Sequence, residues 1–169
     1  MDIGVFFFPT HYSIALTELA VELEQRGFES LLTCEHTHIP ESRKTPFPGG
    51  GEVRKQYYHT HDPFVGLAFA VAVTKTLRIG TGICLVPQHD PFNLAKSVAS
   101  VDRLPGGRFI FGIGGGWNVD EMENHGVNYK TRFKVMRETI LAAKQLWIEE
   151  TGEYHGEFVD FDPAFCSPK

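Results

Sequence analysis

The apolar positions of this chain fall into runs, and each run predicts an element. Ile3 to Phe8 is apolar throughout and closed by Pro9, the pattern of a buried strand. Ser13 is placed to cap a helix whose apolar positions Leu16, Leu19, Ala20 and Leu23 recur at helical spacing, with Gly27 as its C′ glycine. Phe28 to Thr33 reads as a second strand, which delivers Cys34, Glu35, His36, Thr37 and His38 at its carboxyl end. Ile39 to His61 then carries Pro40, Pro46, Pro48 and Gly49 to Gly51 with little periodicity. A loop that long in a compact domain is usually functional, and its place suits a lid.

Asp62–Pro63 supplies an N-cap with proline at N1, and Phe64 to Thr76 is so uniformly apolar that it predicts a well-buried helix. Leu77 to Val86 is the third strand. The tetrapeptide His61 to Phe64 recurs at His89 to Phe92, where it opens another helix with Leu94, Val98 and Val101 on one face. Gly106–Gly107 ends that helix. Arg108 to Asp120 follows: Phe109 to Ile113 is a continuous apolar run, expected to be covered on both faces, which stops at Gly114, Gly115 and Gly116. Glycines at the carboxyl end of a buried strand let a planar or anionic group approach the main chain, although a plain strand-to-helix turn has the same composition. Neither phosphate fingerprint fits, since the last glycine of G-x-G-x-x-G falls on Trp117 and no G-K-[ST] follows. Val119 to His125 predicts a short helix, and Thr131 to Glu149 a long one with Phe133, Met136, Ile140, Ala143 and Trp147 on a stripe. The alternation around Phe158 to Phe161 predicts a strand or hairpin outside the main sheet.

The order is therefore β-α-β-α-β-α-β-α with a repeat of roughly thirty residues, which argues a parallel α/β sheet with right-handed crossovers. An open doubly wound sheet and part of a (β/α)₈ barrel both satisfy it. With 169 residues, 42% hydrophobic and 22% charged, one domain over residues 1–169 is expected. A net charge of -5 with scattered basic residues argues against a nucleic-acid surface. The apolar run Val65 to Val73 is too short to span a bilayer and no basic leader precedes the first strand, so no membrane partner and a cytoplasmic location are expected. Cys34, Cys84 and Cys166, an odd number without C-x-x-C spacing, indicate neither a disulfide framework nor a zinc knuckle.

The segments EHTHIP from Glu35, DPFVGLAFAVAVTKTLRIGTGICLVPQHDPFNLAKSVASVDRLPGGRFIFGIGGGWN from Asp62 and DEMENHG from Asp120 resemble the luciferase-like monooxygenase superfamily, most closely its actinobacterial F420-dependent oxidoreductase branch. The likeness covers essentially the whole chain. It implies a TIM-barrel α/β fold, of which roughly 250 residues make a complete copy, so this chain matches the first four βα units, a half barrel. It further implies an oxidoreductase in which His36 exchanges a proton beside the deazaflavin. Glu35 would orient or contact the ring, Gly82 and Ile83 would form a bulge with a non-prolyl cis peptide behind it, and Gly114, Gly115, Gly116, Trp117, Asn118 and Asp120 would form the loop beside it. Trp117 departs from sugar-phosphate-oxidising relatives, which carry a glutamate there.

The implied cofactor is coenzyme F420, with FMN and monooxygenase chemistry as the alternative, and the implied partners are a small-molecule substrate and either a further copy of the chain or a C-terminal half barrel. Read from the residues alone, His36-x-His38 and His59-x-His61-Asp62 also admit a metal-dependent hydrolase on a barrel. A half barrel inactive by itself is the remaining reading.

Overall fold

A computed structural model of the chain describes residues 1–41 and 44–169; Ser42 and Arg43, within the expected lid, lie outside the described residues. Four strands, β1 (Gly4–Phe7), β2 (Ser30–Thr33), β3 (Arg78–Leu85) and β4 (Phe109–Gly114), pair in parallel in the order β1-β2-β3-β4. Each neighbour in space is a neighbour in sequence. That order is the one the first half of a barrel has, and it excludes a doubly wound sheet, where the order reverses about the first strand.

The crossovers carry α1 (Leu16–Gln25), α3 (Pro63–Ala72) and α4 (Pro91–Arg103), while α2 (Lys55–His59) lies inside the long loop after β2. Beyond β4 come α5 (Val119–Asn124) and α6 (Arg132–Ile148), then an antiparallel hairpin of β5 (Thr151–His155) and β6 (Asp160–Phe165) apart from the main sheet. Both copies of the repeated tetrapeptide cap a helix: Asp62 accepts from Val65 N at 2.8 Å and Asp90 from Asn93 N at 2.9 Å. Gly27, Gly106 and Gly107 all have positive φ, as helix-ending glycines do.

The helices cover one face of the sheet. Val5, Phe7, Leu31, Ile79, Phe109 and Phe111 point into a core with Ala20, Leu23, Leu67, Leu94 and Val98. The opposite face, carrying Phe6, Leu32, Gly80, Gly82 and Ile110, lies away from that core, and Phe6 remains 51% exposed. The expectation that β4 is covered on both faces is therefore corrected: its residues are half-buried and Ile113 is exposed, because the second face is an open barrel interior.

Two helix expectations are also corrected. Ser13 does not cap α1, whose N-cap is Ala15; its hydroxyl instead closes a turn, accepting from Thr10 N and donating to Thr10 O. Helix α3 is apolar all round but buried on one side only, against α1 and β3, so Val65, Phe69 and Val73 form an exposed stripe. The loop after β2 is not wholly irregular, since α2 interrupts it. No helix of the described residues is long and apolar enough to cross a membrane.

The turn between α3 and β3 is held from α1. The Glu24 carboxylate accepts from Lys75 N, Thr76 N, Thr76 Oγ1 and Leu77 N at 2.6–3.0 Å. Desolvation pushes this carboxyl up, and the hydrogen bonds outweigh it, bringing its pKa down to about 2. A carboxyl lowered on folding stabilises above its unfolded pKa and loses that contribution as pH falls. Glu24→Gln should therefore cost about 1 kcal/mol near neutrality, a modest figure because water reaches the site. In urea unfolding the difference from the parent should shrink as pH drops from the ordinary 4.5 towards 2.

Candidate active site

The carboxyl ends of the strands meet in a cavity of about 340 Å³ lined by Phe6, Phe8, Cys34, Glu35, His36, Tyr57, Gly82, Ile83, Leu85, Gly116 and Trp117. Its place follows from the topology, because every parallel strand delivers its following loop to the same end. Six of the ten residues named from the sequence line it: Glu35, His36, Gly82, Ile83, Gly116 and Trp117. The Gly82–Ile83 peptide is cis, as the resemblance implied, and the register of β3 against β4 shifts between Thr81 and Cys84.

The other four are not on the lining. A Cβ on Gly114 would collide with Ile83 Cδ1, and one on Gly115 would come within 2.8 Å of Phe133, so these glycines let the strand-four loop pack tightly against its neighbours. Gly116 turns the chain at φ +72°. Asn118 is fully buried and caps α5 by accepting from Glu121 N at 3.4 Å, while its Nδ2 has no hydrogen-bond partner among the described residues. Asp120 accepts from Lys44 N at 2.8 Å and so fastens the long loop to α5; the Thr45 hydroxyl, accepting from Val119 N at 3.0 Å, is a second tie.

His36 is held by a residue that the sequence reading missed. Its Nδ1 lies 2.8 Å from Glu121 Oε2, and Glu121 Oε1 accepts from Thr37 N at 3.2 Å. Glu121 is fully buried and His36 is 6% exposed at its side chain, with Nε2 left free of any partner among the described residues. A carboxylate on Nδ1 fixes the tautomer that carries its proton there and presents the Nε2 lone pair, the arrangement a proton acceptor needs. The available signal was the spacing: Asn118 and Glu121 stand as N-cap and N3, which places Glu121 in the first turn of α5, but its carboxylate turns to His36 and Thr37 N and does not close a capping box.

Glu35 lines the cavity but its carboxylate is spent elsewhere. Oε2 accepts from Leu85 N at 2.5 Å and Oε1 lies 2.7 Å from His89 Nε2. Burial pushes this carboxyl up, but the His89 bond and charge, Leu85 N–H and the Cys84 thiol together leave it below the ordinary carboxylate range. For His89 burial acts downward and Glu35 upward, with the net effect upward. Burial raises the Cys34 thiol to about 11, so it is uncharged at neutral pH and bonds Thr60 Oγ1 at 3.5 Å.

The two His-x-His pairs do not converge. His36 is bound to Glu121, His38 to Thr37 and Asn124, and His59 packs on the rings of His11 and Tyr12. Among the described residues one trio of metal-ligating groups does come together, Glu35, Cys84 and His89. Its 2.7 Å separation of His89 and Glu35 is a hydrogen-bond distance. Two ligand atoms of a tetrahedral zinc stand roughly 3.3 Å apart, given bonds near 2.0–2.1 Å. The trio is an internally satisfied knot, and the sequence expectation of a metal hydrolase has no geometric support in the H-x-H pairs.

Comparison with known proteins gives four findings. The sequence model of a family described as luciferase-like monooxygenase matches residues 1–169. An uncharacterised protein of Mycobacterium tuberculosis (strain ATCC 25618 / H37Rv) is 40% identical over 172 residues, covering 100% of this chain and 61% of that protein. The F420-dependent glucose-6-phosphate dehydrogenase of Kineococcus radiotolerans is 29% identical over 154 residues, 88% of this chain and 41% of that enzyme. Among solved structures, the monooxygenase RslO1 from Streptomyces bottropensis superposes with a TM-score of 0.83 at 26% identity, over 100% of this chain and 50% of that one. The chain thus spans 41–61% of the length of these proteins.

Proposed function

We propose that this chain, which belongs to the luciferase-like monooxygenase family, carries the ring-facing half of a deazaflavin (coenzyme F420) site and serves hydride transfer between that coenzyme and a small organic substrate. The observation that carries the reading is His36, oriented by Glu121 and presenting Nε2 to an apolar cavity floored by Gly82 and Ile83. The residues present fit a flat tricyclic ring. The cavity walls are mostly aromatic and aliphatic, and Gly82 is bare where a Cβ would sit 3.3 Å from both the Phe6 ring and Leu32. When bound, the deazaflavin accepts or donates a hydride at one carbon without activating oxygen.

The protein's own part is proton handling and exclusion of water. His36 Nε2 takes the hydroxyl proton of an alcohol in the oxidising direction and returns it to the carbonyl oxygen in the reducing one. Glu121 keeps that atom free for the exchange. Trp117 and Tyr57 shield it from the loop side. No lysine or arginine among the described residues lines the cavity, so the anionic tail of the coenzyme is left to a second half barrel, in keeping with the phosphate sites that barrels carry after strands seven and eight.

The test is a side-by-side titration of F420 and FMN, on this chain and on a version joined to a second half barrel. The joined form should bind F420 at least tenfold more tightly than the chain alone, and F420 in preference to FMN. Preference for FMN would replace the reading with flavin monooxygenase chemistry; the likeness to RslO1, a monooxygenase, supports the monooxygenase part of that alternative. Failure of the joined form to bind either would end both.

A further inference from the structure

The side of the cavity that faces the long loop is built from aromatic rings. His36, Tyr57, Phe47 and Trp117 form a closed square: centroids are 5.2 Å apart for His36–Tyr57, 5.3 Å for Tyr57–Phe47, 5.7 Å for Phe47–Trp117 and 5.9 Å for Trp117–His36. These are ring-contact distances along every side, with interplanar angles of 51–77°. Tyr57 continues this wall to Phe8 at 4.8 Å, and Phe8 to Phe6 at 5.3 Å.

The stretch 44–61, which supplies Phe47 and Tyr57, is tied at both ends. Lys44 N and Thr45 tie its first part to α5, Val53 is buried, and its last part pairs Thr60 with Thr10 and donates His61 N to Pro9 O at 2.9 Å. The wall is therefore preorganised, and a rigid ligand matched to it loses little freedom on binding.

The charges around it are already committed. Glu121 is spent on His36, Glu35 on His89 and Leu85 N, and the Cys34 thiol is neutral. A phosphate or carboxylate would find no cation on the lining among the described residues, and an ammonium group would have to compete with a histidine for either carboxylate. Among the described residues, the lining polar atoms left without a hydrogen bond include His36 Nε2, Tyr57 Oη and Trp117 Nε1, and of these the histidine nitrogen, its ring oriented through Nδ1 by Glu121, is the one suited to exchanging a proton near neutrality.

We infer that the substrate class of this site is an uncharged aromatic alcohol or carbonyl compound, its ring lying against Tyr57 and Trp117 and its single oxygen on His36 Nε2. This rests on the proposed oxidoreductase reading only for the reaction, not for the binding. A flexible alkyl chain of equal size fills the same space but orders more rotors and forgoes ring–ring contacts, each worth roughly 2- to 12-fold in affinity.

The experiment is calorimetric titration of the chain, with and without F420, using 2-naphthylmethanol, decan-1-ol and 2-naphthyl phosphate as probes. 2-Naphthylmethanol should bind at least tenfold tighter than either of the others. Tyr57→Leu, which keeps apolar bulk and removes the ring, should weaken 2-naphthylmethanol by roughly 2- to 12-fold while leaving decan-1-ol nearly unchanged; Tyr57→Phe should restore the ring preference. Equal affinity for the ring and chain alcohols, tighter binding of the phosphate, no measurable binding of 2-naphthylmethanol, or an equal loss for both alcohols in Tyr57→Leu overturns the inference. If the ring preference holds while F420 binds neither this chain nor its joined form, the coenzyme reading falls and the ligand class stands. If F420 binds and the preference is absent, the ligand class alone falls.

Discussion

Replacing His36 by alanine in the joined, F420-loaded barrel should lower the hydride-transfer rate by roughly 10²–10⁴, the usual worth of a positioned acid–base group, with coenzyme affinity nearly unchanged. The separation follows from the geometry. His36 shares the cavity with Gly82 and Ile83, but only its Nε2 is free to meet a substrate oxygen, and its other nitrogen is held by Glu121 at 2.8 Å. Glu121→Gln makes the second half of the test. Glutamine keeps the size of the side chain and one carbonyl oxygen for Thr37 N, but it can offer its amide N–H to Nδ1, which moves the histidine proton to Nε2 and removes the lone pair from the cavity. The rate should fall by at least tenfold, within the range for His36→Ala, and the double variant should be no slower than His36→Ala, because Glu121 acts through that ring. Single-turnover kinetics reads both. An unchanged rate in His36→Ala would leave this histidine a loop residue and remove the proton-transfer role.

Much of this arrangement could be read before any coordinates, and what escaped did so for identifiable reasons. The strands were legible because each is a short apolar run cut off by proline, glycine or a cap, and the Asp-Pro pairs at 62–63 and 90–91 start helices by local chemistry alone. His36, Gly82, Ile83, Gly116 and Trp117 were legible through the resemblance and sit together on the cavity. Glu121 was not, because in the run Asp120 to Asn124 it reads as one of several solvated acids; its burial comes from a chain segment 85 positions away folding over α5. His89 is instructive for the same reason. It begins the same tetrapeptide as His61, yet His61 is exposed and His89 meets Glu35, a difference made by what lies opposite and invisible in the repeat. Helix α3 misled through composition: uniform apolarity predicts burial all round, whereas the sheet and α1 take only one side of it.

Removing the Glu35 carboxylate should cost the fold more than any other single change at the site, roughly 3–5 kcal/mol for Glu35→Leu, the range for breaking a buried ion pair from one side. The leucine fills the volume but leaves Leu85 N–H, the Cys84 thiol and His89 without their acceptor, in surroundings where Glu35 is 2% exposed at its side chain and His89 is 20% exposed. Glu35→Gln keeps an oxygen for Leu85 N and should cost less, about 1–3 kcal/mol. The pH dependence identifies the cause. Glu35 is lowered from 4.5 on folding, so its contribution is present above that value and is lost as pH falls through its folded pKa. His89 is raised from 6.5, so its contribution is complete below that value and is lost as pH rises through its folded pKa. The stability gap between the parent chain and Glu35→Leu should therefore be widest between 4.5 and 6.5 and narrow on both sides, as read by urea unfolding across the range. A gap that stays flat from acid to alkaline pH would mean that packing, not the charged pair, is what Glu35 supplies. The consequence reaches the cavity: Leu85 ends the strand that carries Gly82 and Ile83, and Glu35 immediately precedes His36, so this one carboxylate ties the floor of the pocket to the loop bearing its acid–base group.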